Sequence, residues 1–336
     1  MICEALATVV ERRDLDREAI RATMDEIMQG EATPAQIAAF ITALRMKGET
    51  AEELGGAAAS MREHAHYIDA GAQTVVDTCG TGGDGMNTFN ISTATAFVAA
   101  GAGIAVAKHG NRSVSSKCGS ADVLRELGVN IEADPLVMEE CIQDNGIGFL
   151  YAPRMHPAMK YAIGPRRELG IRTIFNMLGP LTNPAGATGQ VLGVFDAELT
   201  EMFALALKGL GTRRAFVVHG LDGLDEMTTC ARTRVSELRD AAVRTYEVSA
   251  EQIFGEFAQP EDLGGGEPPE NARILRDVLD GTPGAPLNTV LLNAAAAIVA
   301  GEKAESIEEG LELARESVTS GAARDKLAIL VETTAE

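Results

Sequence analysis

At Thr74 the chain changes character: from there on, short β-rich runs alternate with helical segments, at Val75–Val76, Gly103–Ala107, Ile147–Leu150, Gln190–Val194 and Ala215–His219. A parallel strand pair cannot be closed by a tight turn, so this alternation predicts parallel strands joined by crossover helices. Residues 1 to about 70 read instead as helices with no strand between them. Ile20, Met24 and Ile27 make the stripe of a helix that begins near Asp16. Thr33 caps the next and Pro34 opens it; Ile37, Phe40, Ile41 and Leu44 then share one face until Gly48 stops the helix. A fourth opens on Thr50 and Glu53, at capping-box spacing. The predicted fold class is α/β plus α. Residues 1–71 are expected to form a small N-terminal helical domain, and residues 72–336 a large α/β domain with a mainly parallel central sheet flanked by helices. The helical block has more apolar faces than it can bury alone, so it is expected to pack on the rest of the chain and on a second subunit. Gln259–Pro269 and Gly281–Pro286 read as surface loops, and Ala297–Ala323 as ordinary helix.

Charge narrows the function. A net charge of −20 argues against a general nucleic-acid or anionic-membrane surface, which needs spread Lys and Arg. An anionic ligand would need local positive charge, and two stretches supply it: Lys108, Arg112 and Lys117, then Arg154, Lys160, Arg166, Arg167 and Arg172. The five cysteines are scattered and include no CxxC pair, which fits reduced thiols in a cytosolic protein and neither a disulfide frame nor a zinc site. No apolar core of signal-peptide length opens the sequence, and its longest apolar stretches fall short of a membrane span. The expectation is a cytoplasmic protein without a membrane partner.

Three segments carry chemistry. Gly80-Thr-Gly-Gly-Asp-Gly85 comes directly after the first strand and satisfies G-x-G-x-x-G. Read alone it is a plain tight turn, a dinucleotide turn or a phosphate cradle. A dinucleotide site wants an acidic residue at the end of the next strand, where this chain has Lys108-His109. A cation there suits a phosphate. Asn90-Ile91-Ser92-Thr93 opens a helix just beyond the loop; its hydroxyls can cap, and its unpaired N–H groups can meet a phosphate or metal. Lys108-His-Gly-Asn-Arg-Ser-Val-Ser-Ser116 reads as a donor-rich loop able to close over a polyanion. Asp225-Glu226, with Asp222 as second choice, are either solvated carboxylates or oxygen ligands for Mg²⁺ beside a phosphate.

In this order and at these separations, GTGGDG, NIST, KHGNRSVSS with KCGSADVL after it, RRELGIRTIFNMLGPLTNP and GLDEM resemble the anthranilate phosphoribosyltransferase family over nearly the whole chain. The resemblance implies transfer of a phosphoribosyl group from phosphoribosyl diphosphate to anthranilate, a step in tryptophan biosynthesis, by a homodimer formed through the helical part. It further implies that Gly80, Gly83, Asp84, Thr88, Asn90, Ile91, Ser92 and Thr93 line the phosphoribosyl diphosphate site. Lys108, His109, Gly110, Asn111, Arg112, Ser113, Val114, Ser115, Ser116 and Ser120 would complete it. Ser92 would touch one Mg²⁺, and Asp225 with Glu226 another. Asn111 and Arg166 would meet anthranilate, Arg166 near its carboxylate. No single catalytic acid or base is expected, because the aromatic amine is already nucleophilic. Two alternatives stand beside this reading. A pyrimidine nucleoside phosphorylase would carry a Lys-His pair where this chain has Thr78-Cys79, and a non-catalytic nucleic-acid-binding relative would need a basic groove.

Overall fold

The computed structural model describes residues 1–71, 74–113 and 117–335. Four helices come first: α1 (Ile2–Val10), α2 (Arg17–Met28), α3 (Pro34–Lys47) and α4 (Ala51–Glu63). Their ends match the sequence signals. The Asp16 side chain accepts from Ala19 N before α2, and Thr33 with Gln36 and Thr50 with Glu53 close reciprocal capping boxes before α3 and α4. The stripes of α2 and α3, from Ile20 to Leu44, are buried.

Strands and crossover helices then alternate: β1 (Val75–Asp77), α5 (Ile91–Gly101), β2 (Ala105–Gly110), α6 (Ser120–Glu126), α7 (Pro135–Asn145) and β3 (Ile147–Tyr151). A longer excursion through α8 (Ala152–Met155), α9 (Lys160–Leu169) and α10 (Phe175–Leu178) leads to β4 (Gly189–Gly193), α11 (Leu199–Gly209) and β5 (Arg214–Gly220). The sheet finishes with β6 (Arg232–Arg239) and β7 (Ala242–Ser249), before α12 (Ala250–Phe254), α13 (Pro268–Leu279), α14 (Ala285–Ala300), α15 (Ile307–Thr319) and α16 (Ala322–Thr334). The strand order is β3-β2-β1-β4-β5-β6-β7. The first five strands pair in parallel, and β6 and β7 add an antiparallel edge.

Alternation along the strands divides the core. Val106, Val191, Phe216 and Val218 face a cluster with α5, α13 and α14. Leu192, Ala215 and Val217 face the other side, in a cluster that includes α1–α4, Ile174–Leu178 and α11. The helical block therefore shares its core with one face of the sheet.

Two sequence expectations are corrected, and one element was not expected. Lys108, His109 and Gly110 belong to strand β2, in register with Phe149, Leu150 and Tyr151 of β3, so the loop begins only at Asn111. The polar run hid this, because both side chains are buried by partners and not by apolarity. The β6–β7 hairpin is not announced by the sequence. Its strands are heavily charged and it turns on Asp240 and Ala241, both at positive φ, with no Gly or Asn to mark a primed turn. Finally, Ala297–Ala323 is interrupted between α14 and α15, where Ser306 caps α15 by accepting from Glu309 N.

Candidate active site

Strand order reverses between β1 and β4, and in a doubly wound sheet the crevice at such a point, beyond the strands' carboxyl ends, is where ligands bind. The Gly80–Gly85 loop lies across it. Thr81 N donates to Gly193 O at the end of β4 (2.8 Å), and Gly82 N donates to Asp225 Oδ2 (2.8 Å). Gly83 sits at φ +80°, a conformation that suits glycine, and its carbonyl accepts from the Arg172 guanidinium. Arg172 in turn stacks over Phe195 at 4.4 Å. The segment beyond the loop is stitched down as well, by a bridge between Thr88 and Gly264 and by Phe89 N donating to Leu263 O.

Lys108 stands at the centre. Its side chain is 3% exposed, and its Nζ donates to Thr78 O (3.1 Å), Thr78 Oγ1 (3.4 Å) and Ser92 Oγ (3.3 Å). The Ser92 hydroxyl also hydrogen-bonds the Glu226 carboxylate, so the hydroxyl, the ammonium and the acid pair form one cluster. Asp225 and Glu226 are both held well above the ordinary carboxyl range, first by burial, then by neighbouring carboxylates: Asp84 acts on Asp225, and Asp225 on Glu226. A set of hard oxygen donors whose mutual repulsion awaits a divalent cation fits Mg²⁺.

Beneath this cluster lies a buried network. Asp77 at the end of β1 accepts from His109 N (3.1 Å) and from Asn183 Nδ2 (2.7 Å). Burial pushes its carboxyl up to about 6, against the pull of Lys108 and its hydrogen bonds. Donor atoms of Asp77, Cys79 and His109 lie within 4.8 Å of one another. The Asp77 oxygens are already engaged and Lys108 adds a positive charge, so this trio suits a hydrogen-bonded floor better than a metal centre. His109 Nδ1 pairs with Gly179 O (3.1 Å), and its ring packs edge-on against His156 at 5.1 Å. Burial lowers His109 to about 3 and His156 to about 4, so both rings stay neutral.

Of the sequence-derived site residues, Gly80, Gly83, Asp84, Ser92, Lys108, Asp225 and Glu226 converge here. The Ile91 and Thr93 side chains are in the core, which leaves them backbone roles at the start of α5. Asn90 holds that helix start to its neighbours, accepting from Asn271 Nδ2 (2.9 Å) and donating to Cys118 O (3.1 Å). Asn111, Arg112, Ser113 and Ser120 group beyond β2: Ser120 Oγ donates to Asn111 O (3.2 Å), and Arg112 Nε donates to Tyr151 Oη (3.0 Å). Val114, Ser115 and Ser116 lie outside the described residues. Arg166, on α9, packs over the Phe175 ring at 5.2 Å, and burial lowers its pKa. Asp222, the second-choice ligand, instead accepts from Thr228 Oγ1 (2.7 Å) and lines a cleft with Met86, Thr88, Leu224 and Cys230. Sequence reasoning missed Asp77, His156 and Asn183 and noted Arg172 only as local charge.

With this geometry in view, the comparisons are decisive. The model of the glycosyl transferase family α/β domain matches residues 72–324, and that of its helical bundle domain matches residues 4–65. An anthranilate phosphoribosyltransferase from Desulfosudis oleivorans is 59% identical over 99% of both chains. The chain belongs to the anthranilate phosphoribosyltransferase family. A second member, from Acetivibrio thermocellus, is 57% identical over 99% of this chain and 97% of its own. Among solved members of the family, the Thermus thermophilus enzyme superposes with a TM-score of 0.94 at 41% identity, covering 99% of each chain. The Saccharomyces cerevisiae enzyme, solved in complex with phosphoribosyl diphosphate and Mg, gives 0.88 at 29% identity, covering 99% of this chain and 98% of its own.

The site's packing and charge lead to two testable outcomes. A Cβ on Gly193 would run into the backbone carbonyl of Asp225, so Gly193→Ala should displace the acid pair. Overpacking of this kind costs about 1–3 kcal/mol, and Mg²⁺ affinity by calorimetry should fall with it. Unchanged affinity would detach Gly193 from the metal ligands. The raised carboxyls of Asp225 and Glu226 favour folding at low pH, and this contribution is lost as pH rises through their folded values. The thermal midpoint of the free protein should therefore fall between about pH 5 and about pH 8 by more than that of Glu226→Gln, with Mg²⁺ reducing the difference. Parallel pH profiles for the two proteins would contradict the raised pair.

Proposed function

We propose that this chain transfers the 5-phosphoribosyl group from 5-phosphoribosyl 1-diphosphate to the amine of anthranilate, giving N-(5-phosphoribosyl)anthranilate and diphosphate in tryptophan biosynthesis. The observation that carries this reading is the convergence, at the switch point, of a glycine loop, the start of α5, the Lys108 ammonium and a half-buried acid pair. Ser92, Asp225 and Glu226 would hold Mg²⁺, which when bound supplies positive charge against the diphosphate.

Departure of diphosphate leaves positive charge on the ribose carbon and gathers negative charge on the leaving oxygens. Backbone N–H groups of the loop, the N-terminal end of α5 and Lys108 all offer positive charge where that negative charge grows, so they stabilise the transition state more than the ground state. The Lys108 ammonium is held in place by Thr78 and Ser92 and needs no reorganisation during the reaction. Asn111 and Arg166 would orient anthranilate, the Arg166 guanidinium facing its carboxylate. The amine is a weak base whose lone pair attacks directly, so no strong general base is assigned.

We read the chain as a helical domain, residues 1–71, with a returning segment near 165–188, and an α/β domain, residues 72–336. We also read it as a homodimer through the helical domain, which exposes Val10 and Met46. Light scattering should then give twice the 35.3 kDa chain mass; a monomer at micromolar concentration would overturn the dimer. No helix among the described residues is long and apolar enough to cross a membrane, in keeping with a cytoplasmic enzyme.

The test of function tracks anthranilate fluorescence after mixing protein, phosphoribosyl diphosphate and Mg²⁺. A decay that requires all three and stops with EDTA is the expected result. Arg166→Ala should raise the anthranilate KM by about 10- to 150-fold, the value of a charge-assisted hydrogen bond of about 1.5–3 kcal/mol. No decay would overturn the acceptor, and a fall in kcat alone would overturn the Arg166 role.

A further inference from the structure

Asn183 and Asp77 meet in the floor of the site with no route to solvent; they are 1% and 0% exposed. Asn183 Nδ2 donates to Asp77 Oδ2 (2.7 Å) and to Ala107 O in β2 (2.7 Å), while its Oδ1 accepts from Ala185 N (2.9 Å). The amide thus spends its donors on the end of β1 and the middle of β2. The other oxygen of Asp77 accepts from His109 N, the peptide nitrogen next after Lys108.

The segment that delivers Asn183 is fastened on every side. Gly179 O pairs with His109 Nδ1 (3.1 Å), Pro180 O accepts from Gln190 Nε2 in β4 (2.7 Å), and Leu181 O accepts from Arg62 Nε in α4 (2.7 Å). Residues 179–183 therefore link the helical block to β1, β2 and β4 directly under the diphosphate side of the site. Asp77 is where this link reaches Lys108, by fixing the peptide after it and by lying within electrostatic reach of its ammonium. Glu226, the half-buried carboxylate also acting on Lys108, would be taken by Mg²⁺ in the loaded site, whereas Asp77, fully buried with both oxygens engaged by His109 N and Asn183, would stay as a counter-charge.

We propose that Asp77, held by Asn183, is a positioning residue for the diphosphate: it fixes the Lys108–His109 peptide and keeps the Lys108 ammonium aimed under the leaving group. Neither residue touches substrate. This rests on the phosphoribosyl diphosphate reading of the pocket, and its consequence is specific to that ligand. Asp77→Asn keeps the shape but sets an NH₂ group against a donor, either Asn183 Nδ2 or His109 N, and removes the charge. Asn183→Ala removes the tether without changing the strand.

The experiment is calorimetric titration of inorganic diphosphate with Mg²⁺ into the full chain, as wild type, Asp77→Asn and Asn183→Ala, together with the phosphoribosyl diphosphate KM of each. Circular dichroism and gel filtration establish that the variants are folded; if one fails to fold, the other carries the test. The expected result is a dissociation constant and KM raised about tenfold or more in both variants, the scale of one buried hydrogen bond to a charged group. A merely structural role would lower the active fraction, and so the apparent kcat, with KM and diphosphate affinity unchanged; that outcome overturns the proposal. Absence of diphosphate binding by the wild type overturns the pocket reading and the positioning role together, whereas tight wild-type binding matched by both variants overturns the positioning role alone.

Discussion

The site depends on one buried ammonium. Lys108 is almost wholly removed from water within the parallel strand β2, and an unpaired charge there would be prohibitively costly. Its neighbours are arranged accordingly: a carbonyl and two hydroxyls take its hydrogen bonds, with Asp77 and Glu226 close enough to balance its charge. The converse also holds. Three acids, Asp84, Asp225 and Glu226, converge near a phosphate cradle in a chain of net charge −20; burial first and then neighbouring carboxylates raise Asp225 and Glu226, and the Lys108 charge pulls against this at Glu226. A site of this kind suits a divalent metal and a polyanion bound together.

The fold brings these groups together through connectivity more than through local sequence. The loops after β1, β4 and β5 meet because strand order reverses between β1 and β4, and the hydrogen bonds from Thr81 N to Gly193 O and from Gly82 N to Asp225 tie them into one wall. Close approach has its own requirement. Gly193 has no side chain because the Asp225 backbone occupies the space where a Cβ would be. The helical block is part of the same construction, since it shares a core with one sheet face and reaches the site floor through Leu181 and Asn183.

Much of this was legible in the sequence, and the gaps have physical causes. Capping residues and 3.6-residue stripes gave the bundle helices, and β-rich runs gave the five parallel strands, because both signals are local. The β6–β7 hairpin was illegible: Arg232–Arg239 is polar at every position but Val235 and Leu238, which hides the strand period, and its Asp240-Ala241 turn lacks the glycine that usually marks a primed turn. Lys108–Gly110 looked like loop because burial of a cation and a histidine leaves no hydrophobic trace; only the partner strand and Asp77 reveal it. Asp77 and Asn183 could not be paired from sequence at all, since their contact spans more than a hundred residues and uses ordinary residue types. The glycine loop and the acid pair stood out because their chemistry is concentrated in a few adjacent positions.

The central claim is that the Lys108 ammonium holds the diphosphate side of the site together, and Lys108→Met tests it most directly, since most of the stem is kept while the charge and its hydrogen bonds to Thr78 and Ser92 are lost. Calorimetry of Mg²⁺ with inorganic diphosphate should show affinity weakened about tenfold or more in folded Lys108→Met protein, as expected for a charge-assisted contact of at least about 1.4 kcal/mol. Wild-type affinity in that variant would contradict the account.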